Sequence, residues 1–177
     1  MKTCKSSLLN RLQFIGLSIL IFFAQAPAVL AQDGEKLLAK ENLGGLKIGL
    51  GEKALAPILE KSAIKKSAAV FEEAGGEYVQ TWTCAEKGLS IRMTSGASKK
   101  GALRVAGFTG TAKCTLATTK GVKIGSTLAE VRKAYGAFED KESKEPGTFV
   151  AGSVYGGIIF TLKAGKVSEI FFGAAAE

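Results

Sequence analysis

Hydrophobic and polar positions divide this chain into stretches of three kinds. From Phe14 to Ala24 nearly every residue is apolar, with no period. From Tyr78 to Cys84 and from Leu89 to Thr94 the character alternates residue by residue, as in a half-buried strand. Tyr78, Gln80, Trp82 and Cys84 fall on one side of the first strand, and Val79, Thr81 and Thr83 on the other. The second strand groups Leu89, Ile91 and Met93 and turns Ser90, Arg92 and Thr94 away. Between Thr127 and Gly136 the period becomes helical: Leu128, Val131 and Tyr135 share a face. Thr127 and Glu130 have the spacing of a capping box, and Gly136 is placed to end the helix in a left-handed conformation. Further strands are expected over Ala102 to Phe108, Ala112 to Leu116 and Thr148 to Tyr155. A hairpin is expected from Gly157 to Lys163 and Lys166 to Phe172, turning at Ala164-Gly165, with Phe160 and Phe172 in the core.

A first helix fits Glu52 to Leu59, with Leu55 and Leu59 inward, but Pro57 lacks an N–H for its interior. A start near Ala56, running on through Ala63 and Ile64, places the proline early instead. Both versions stand on the sequence. The helical and strand patterns also recur. Gly45-Leu46-Lys47-Ile48-Gly49 returns as Gly121-Val122-Lys123-Ile124-Gly125, each copy opening a helical segment. Gly88 to Met93 returns in pattern as Gly157 to Leu162. Two matches in the same order predict a degenerate repeat, with halves at about 42–110 and 111–173. The fold class is α+β: an antiparallel sheet with short helices on one face.

The unbroken apolar run changes the picture of where this domain works. Lys2, Lys5 and Arg11 precede it, and Val29-Leu30-Ala31 supplies a small-residue exit. That is the three-part pattern of a secretory signal. Eleven residues of helix reach about 16 Å, short of the ~30 Å hydrocarbon layer. Residues 1–31 are therefore expected to be removed, Cys4 with them. Residues 32–177 remain as one domain in the periplasm or outside the cell after Sec-type export, with no transmembrane segment. The signal carries three basic residues, so the remainder holds 21 basic and 16 acidic side chains. The signs are interspersed, which argues for a solvated surface and against a nucleic-acid partner.

Composition narrows the chemistry. The chain has no histidine, so neither a His-based triad nor an imidazole zinc site is available. Ser95, Ser126 and Ser153 have no imidazole to activate them, and Ser62-Ala63-Ile64-Lys65 is an isolated S-x-x-K. Glu72, Glu73 and Glu77 could pair as acids, but nothing in their spacing sets a catalytic separation. No cofactor or metal is expected. In an oxidising compartment, Cys84 and Cys114 are expected to form a disulfide. Candidate partner-binding residues are the aromatics Tyr78, Trp82, Phe149 and Tyr155, which fit either core or contact surface, with Arg92 and Arg104 as basic neighbours.

The element Val122-Lys123-Ile124-Gly125-Ser126-Thr127-Leu128-Ala129-Glu130-Val131, followed by Tyr135-Gly136 and the closing hairpin at Gly157–Leu162 and Gly165–Ile170, resembles one known group. It is similar to the tandem α+β repeats of the beta-lactamase-inhibitor-protein fold and of the small outer-membrane assembly lipoproteins of the SmpA/OmlA type. The likeness covers about 50 residues, with a weaker echo in the first half; no lipidated cysteine follows the signal here. The resemblance implies a protein-binding module, not an enzyme. The expectation is thus an exported, non-enzymatic domain that docks on another extracytoplasmic protein. The rivals are a small-molecule, lipid or glycan carrier, an envelope structural protein, and a hydrolase with an unfamiliar site.

Overall fold

The alternating runs become strands, and the glycines between them become turns. The structure, a computed structural model, describes residues 27–60, 62–143 and 145–175; the apolar run from Phe14 to Ala24 lies outside them. Its strands are β1 (Lys65–Lys66), β2 (Val70–Glu72), β3 (Glu77–Cys84), β4 (Leu89–Thr94), β5 (Arg104–Gly110), β6 (Thr148–Ser153), β7 (Gly156–Lys163) and β8 (Lys166–Gly173). They form one antiparallel sheet in the order β1-β3-β4-β5-β8-β7-β6, with β2 also paired to β3. Two three-strand meanders, β3-β4-β5 and β6-β7-β8, thus meet at β5 and β8.

One face of this sheet is apolar and covered. Trp82, Leu89, Ile91, Met93, Phe108, Phe149, Ile158, Phe160, Ile170 and Phe172 are buried there. Above them pack α1 (Pro27–Lys40), α2 (Glu52–Leu59) and α3 (Leu128–Tyr135), which contribute Leu37, Leu55, Leu59, Val131 and Tyr135. The aromatic contacts within this layer include Phe108 stacked on Phe172 at 4.7 Å and Phe149 edge-on to Phe160 at 6.1 Å. Helix α1, which no periodicity announces, crosses the end of the β6–β7 hairpin at Gly34. A Cβ there would stand 1.8 Å from the Gly156 carbonyl oxygen, so only glycine allows the approach.

The two halves repeat one another bond for bond around α2 and α3. The Gly49 N–H donates to the Val105 carbonyl, and the Val105 N–H to Leu50; in the second half Gly125 donates to Val167, and Val167 to Ser126. Gly51 bridges Arg104 just as Thr127 bridges Lys166, each at the start of its helix. Gly49 (φ +79°) and Gly125 (φ +89°) take the left-handed backbone that side chains resist. The strands agree too. Ile91 faces Phe108 and Phe160 faces Ile170, and in each half a bulge follows just beyond, at Arg92/Met93 and Thr161/Leu162.

Several expectations are corrected. The Cys84–Cys114 disulfide is not formed: both cysteines are free and buried. Cys84 pairs with Leu89, Leu89 pairs with Gly110, and it is against Gly110 that the Cys114 sulfur packs. The Cys114 sulfur is thus turned onto Gly110 of β5 while Cys84 lies on β3, and the two thiols are not bonded. The segment Ala112 to Leu116 is a loop, not a strand. Gly136 has φ −58° and starts a 3-10 turn over Gly136–Phe138, so the chain tightens instead of reversing there. Of the two readings of the first helix, the one from Glu52 to Leu59 is the one formed, and the later start near Ala56 is not. Pro57 stands inside the last turn of α2, where it removes one backbone donor from this short helix.

Candidate binding surface

The face opposite the helices is left partly open, and its residues are set by strand register. One row crosses six strands: Thr83, Ser90, Thr109, Phe171, Ile159 and Val150 stand side by side on neighbouring strands. In the next row Thr81 faces Arg92, and Arg92 faces Gly107. In this row hydroxyl groups stand on β3 to β5 and apolar groups on β8, β7 and β6.

Gly107 makes the junction of these halves a depression. The Phe171 ring approaches to 3.9 Å of the place where a Gly107 Cβ would stand and to 3.1 Å of that at Gly173. The aromatic ring thus lies along bare backbone. A recess of about 130 Å³ results, lined by Thr81, Ser90, Arg92, Gly107, Thr109 and Phe171. Its size suits one side chain of a partner, with a ring, a guanidinium and hydroxyls around it.

Arg92 is held in place from beside the recess. Its guanidinium donates to Glu72 and lies 4.0 Å from Glu77. Glu72 and Glu77 are register partners across β2 and β3. Two carboxylates set opposite repel, and the guanidinium between them offsets that. Thr94 adds a hydroxyl donor to Glu77 at 2.5 Å. The acids Glu72 and Glu77 are thereby parts of an ion-pair cluster at the sheet margin. Among the described residues no group of His, Cys, Asp and Glu is suited to hold a metal ion.

The structure separates the residues singled out from sequence. Trp82 and Phe149 lie in the core beneath the helices, so neither can meet a partner. Trp82 instead takes the Lys66 ammonium over its ring at 3.7 Å. Tyr78 is half-buried and tilts against Phe71 at 5.0 Å. Tyr155 is 61% exposed at the turn between β6 and β7. Arg104 is exposed at the start of β5, where it donates to the Gly49 carbonyl at 3.3 Å. Only Arg92 of this set lines the recess. Phe171, Thr109, Thr81 and Ser90 join it, and sequence reasoning missed them. The signal that was available is the alternation itself, which turns Ser90 and Arg92 away from Leu89, Ile91 and Met93.

No family model matches the chain, and neither a curated protein nor a solved structure matches it.

Proposed function

We propose that this chain is a non-enzymatic protein-binding module that docks through the open face of its sheet. One observation carries the reading: a recess floored by Gly107, flanked by the Phe171 ring and the Arg92 guanidinium, on a face that the helices leave uncovered. Aromatic and arginine side chains around a pocket of side-chain size are the composition of an interface anchor site. The antiparallel sheet holds them on a rigid support. The repeated helix-and-meander layout agrees with the resemblance to tandem α+β binding modules. A basic start, an apolar run and a small-residue exit support export, with the partner in the periplasm or beyond. The contacts that hold α1, at Gly34, Leu37 and Glu41, lie past Ala31, so removal of residues 1–31 leaves them in place.

A photo-crosslinking residue placed at Thr109 tests the docking face in cells that make the protein. A discrete protein adduct is expected from Thr109 and not from Ala54, which is exposed on α2. Adducts of the same kind from both positions, or from Ala54 alone, would remove the sheet face from consideration. The carrier alternative has one observation in its favour. A recess of about 320 Å³ between α1 and the Gly136–Phe138 turn combines Leu37 and Phe138 with three lysines, Lys36, Lys40 and Lys120, and one acid, Glu41, whose carboxylate is engaged by Tyr135, a setting for a small amphipathic anion. A stoichiometric anion co-purifying with the protein, and lost in Lys40→Glu, would favour it.

A further inference from the structure

A charge closes the core at the sheet edge nearest α2. Lys66 is the register partner of Trp82 across β1 and β3, and its side chain lies on the helix side with the indole. The ammonium stands 3.7 Å from the centre of the Trp82 ring and 3.2 Å from the Glu52 carboxylate in the first turn of α2. Trp82 beneath it is 3% exposed, while Lys66 itself is open to solvent. The indole does not use the enclosure well. Its Nε1 is buried and has no hydrogen-bond partner among the described residues. A buried donor without an acceptor is disfavoured relative to one that meets water.

The segment that carries Lys66 is lightly fastened. β1 has two residues, both exposed, and no strand pairs with its outer side among the described residues. Beside it the ladder is interrupted. The Ser67 N–H donates to the Thr81 carbonyl at 2.9 Å, but the Thr81 N–H donates to the Ser67 hydroxyl, also at 2.9 Å, instead of to a carbonyl. Residues 67–69 belong to no strand, and pairing resumes only at Val70. The side-chain fastenings are an exposed ion pair and a cation over a ring. An exposed ion pair is weak and is screened by salt. An edge held in this way opens at a lower free energy than the core it covers.

We propose that residues 65–67 form a strap that Lys66 latches over Trp82 and that rising ionic strength releases. Release brings water to the indole N–H. It also adds a third ring to Phe71 and Tyr78, which lie partly open on the same side of this edge. The strap adjoins the recess, because Thr81, which it holds by the backbone, also lines that recess. It is nonetheless a property of the protein alone and holds whether or not the sheet face docks a partner.

Trp82 is the one tryptophan of the chain, so its fluorescence reads the strap directly. Acrylamide is uncharged, and its quenching of the wild type should rise about threefold as sodium chloride goes from about 0.01 M to about 1 M and the Debye length falls from ~30 Å to ~3 Å. Lys66→Met keeps the apolar stem and loses the charge. At low salt it should already be quenched about threefold more than the wild type, and salt should change it little. Glu52→Gln leaves Lys66 only the ring and should lie between the two. Lys65→Met is the control: Lys65 pairs with Thr83, whose side chain points to the other side of β3, so quenching should not change. Circular dichroism and cooperative urea unfolding check that each variant is folded. Wild-type quenching that ignores salt overturns the proposal. So do Lys66→Met and Glu52→Gln proteins as protected as the wild type at low salt, or a Lys65→Met protein as open as Lys66→Met.

Discussion

Tyr135 shows how much one buried polar atom can govern. Its ring is fully buried against Phe160 at 5.3 Å, and its hydroxyl donates to the Glu41 carboxylate at 2.9 Å. Burial pushes the phenol well above its ordinary value, and the Glu41 carboxylate adds to the rise. A folded value above the unfolded one, near 10, means the stabilisation is whole below pH 10 and drains away as pH rises further. Tyr135→Phe should flatten that alkaline loss relative to wild type in urea titrations from pH 9 to 11. At pH 7 the same change should cost about 1–3 kcal/mol, since buried Glu41 loses its donor. Such a pairing across 94 residues has no mark in the sequence. Nor does Gly34, whose meaning is the backbone that crosses it. Trp82 had two possible environments by alternation alone, and the helices resolved it into the core.

At the scale of elements, the two helices of the repeat carry unequal caps. Thr127 accepts from the Glu130 N–H at 3.3 Å while the Glu130 carboxylate accepts from the Thr127 N–H at 2.7 Å. Gly51, the matching residue of the first half, has no side chain to offer, yet its φ of −77° suits any residue and a Cβ would meet nothing closer than 4.0 Å. Thr127→Ala should cost about 1 kcal/mol and Gly51→Ser should gain about 0.5–1 kcal/mol, both read from chemical denaturation. The Thr127 backbone and hydroxyl bonds also hold the Glu130 carboxyl below its ordinary value. Stability from a lowered carboxylate is present above its unfolded value and lost as pH falls through the folded one. Glu130→Gln should therefore remove part of the acid sensitivity of thermal unfolding between pH 5 and 3. The second cap was legible because a capping box is a local pattern. The extent of α2 was not, because Pro57 allowed two starts and a bond from the Glu52 N–H to the distant Leu103 carbonyl holds the earlier one.

For the molecule as a whole, the free cysteines make a direct prediction. Protein handled without reductant should show two reactive thiols in denaturant from Cys84 and Cys114, both protected when folded, and reductant should leave the melting temperature unchanged. Burial also pushes the Cys114 thiol up, which slows its reaction further. Without a cross-link the halves are held by their shared core, in which Phe108 and Phe172 stack where they join. That join runs along β5 and β8, and the row that crosses it carries hydroxyls on one side and apolar groups on the other. The recess lies where those halves meet, and neither half holds it alone.

The sequence by itself determined the local patterns: which strands alternate, how α3 begins, and that one motif is used twice. Each depends on residues a few positions apart, where backbone geometry and side-chain period act directly. The tertiary structure alone decided which face of β3 is inside, how far Cys84 lies from Cys114, why position 34 is glycine, and that Arg92 and Phe171 share a recess. Those depend on strand order and on what crosses above the sheet, and such distances are set by the packing of the whole core.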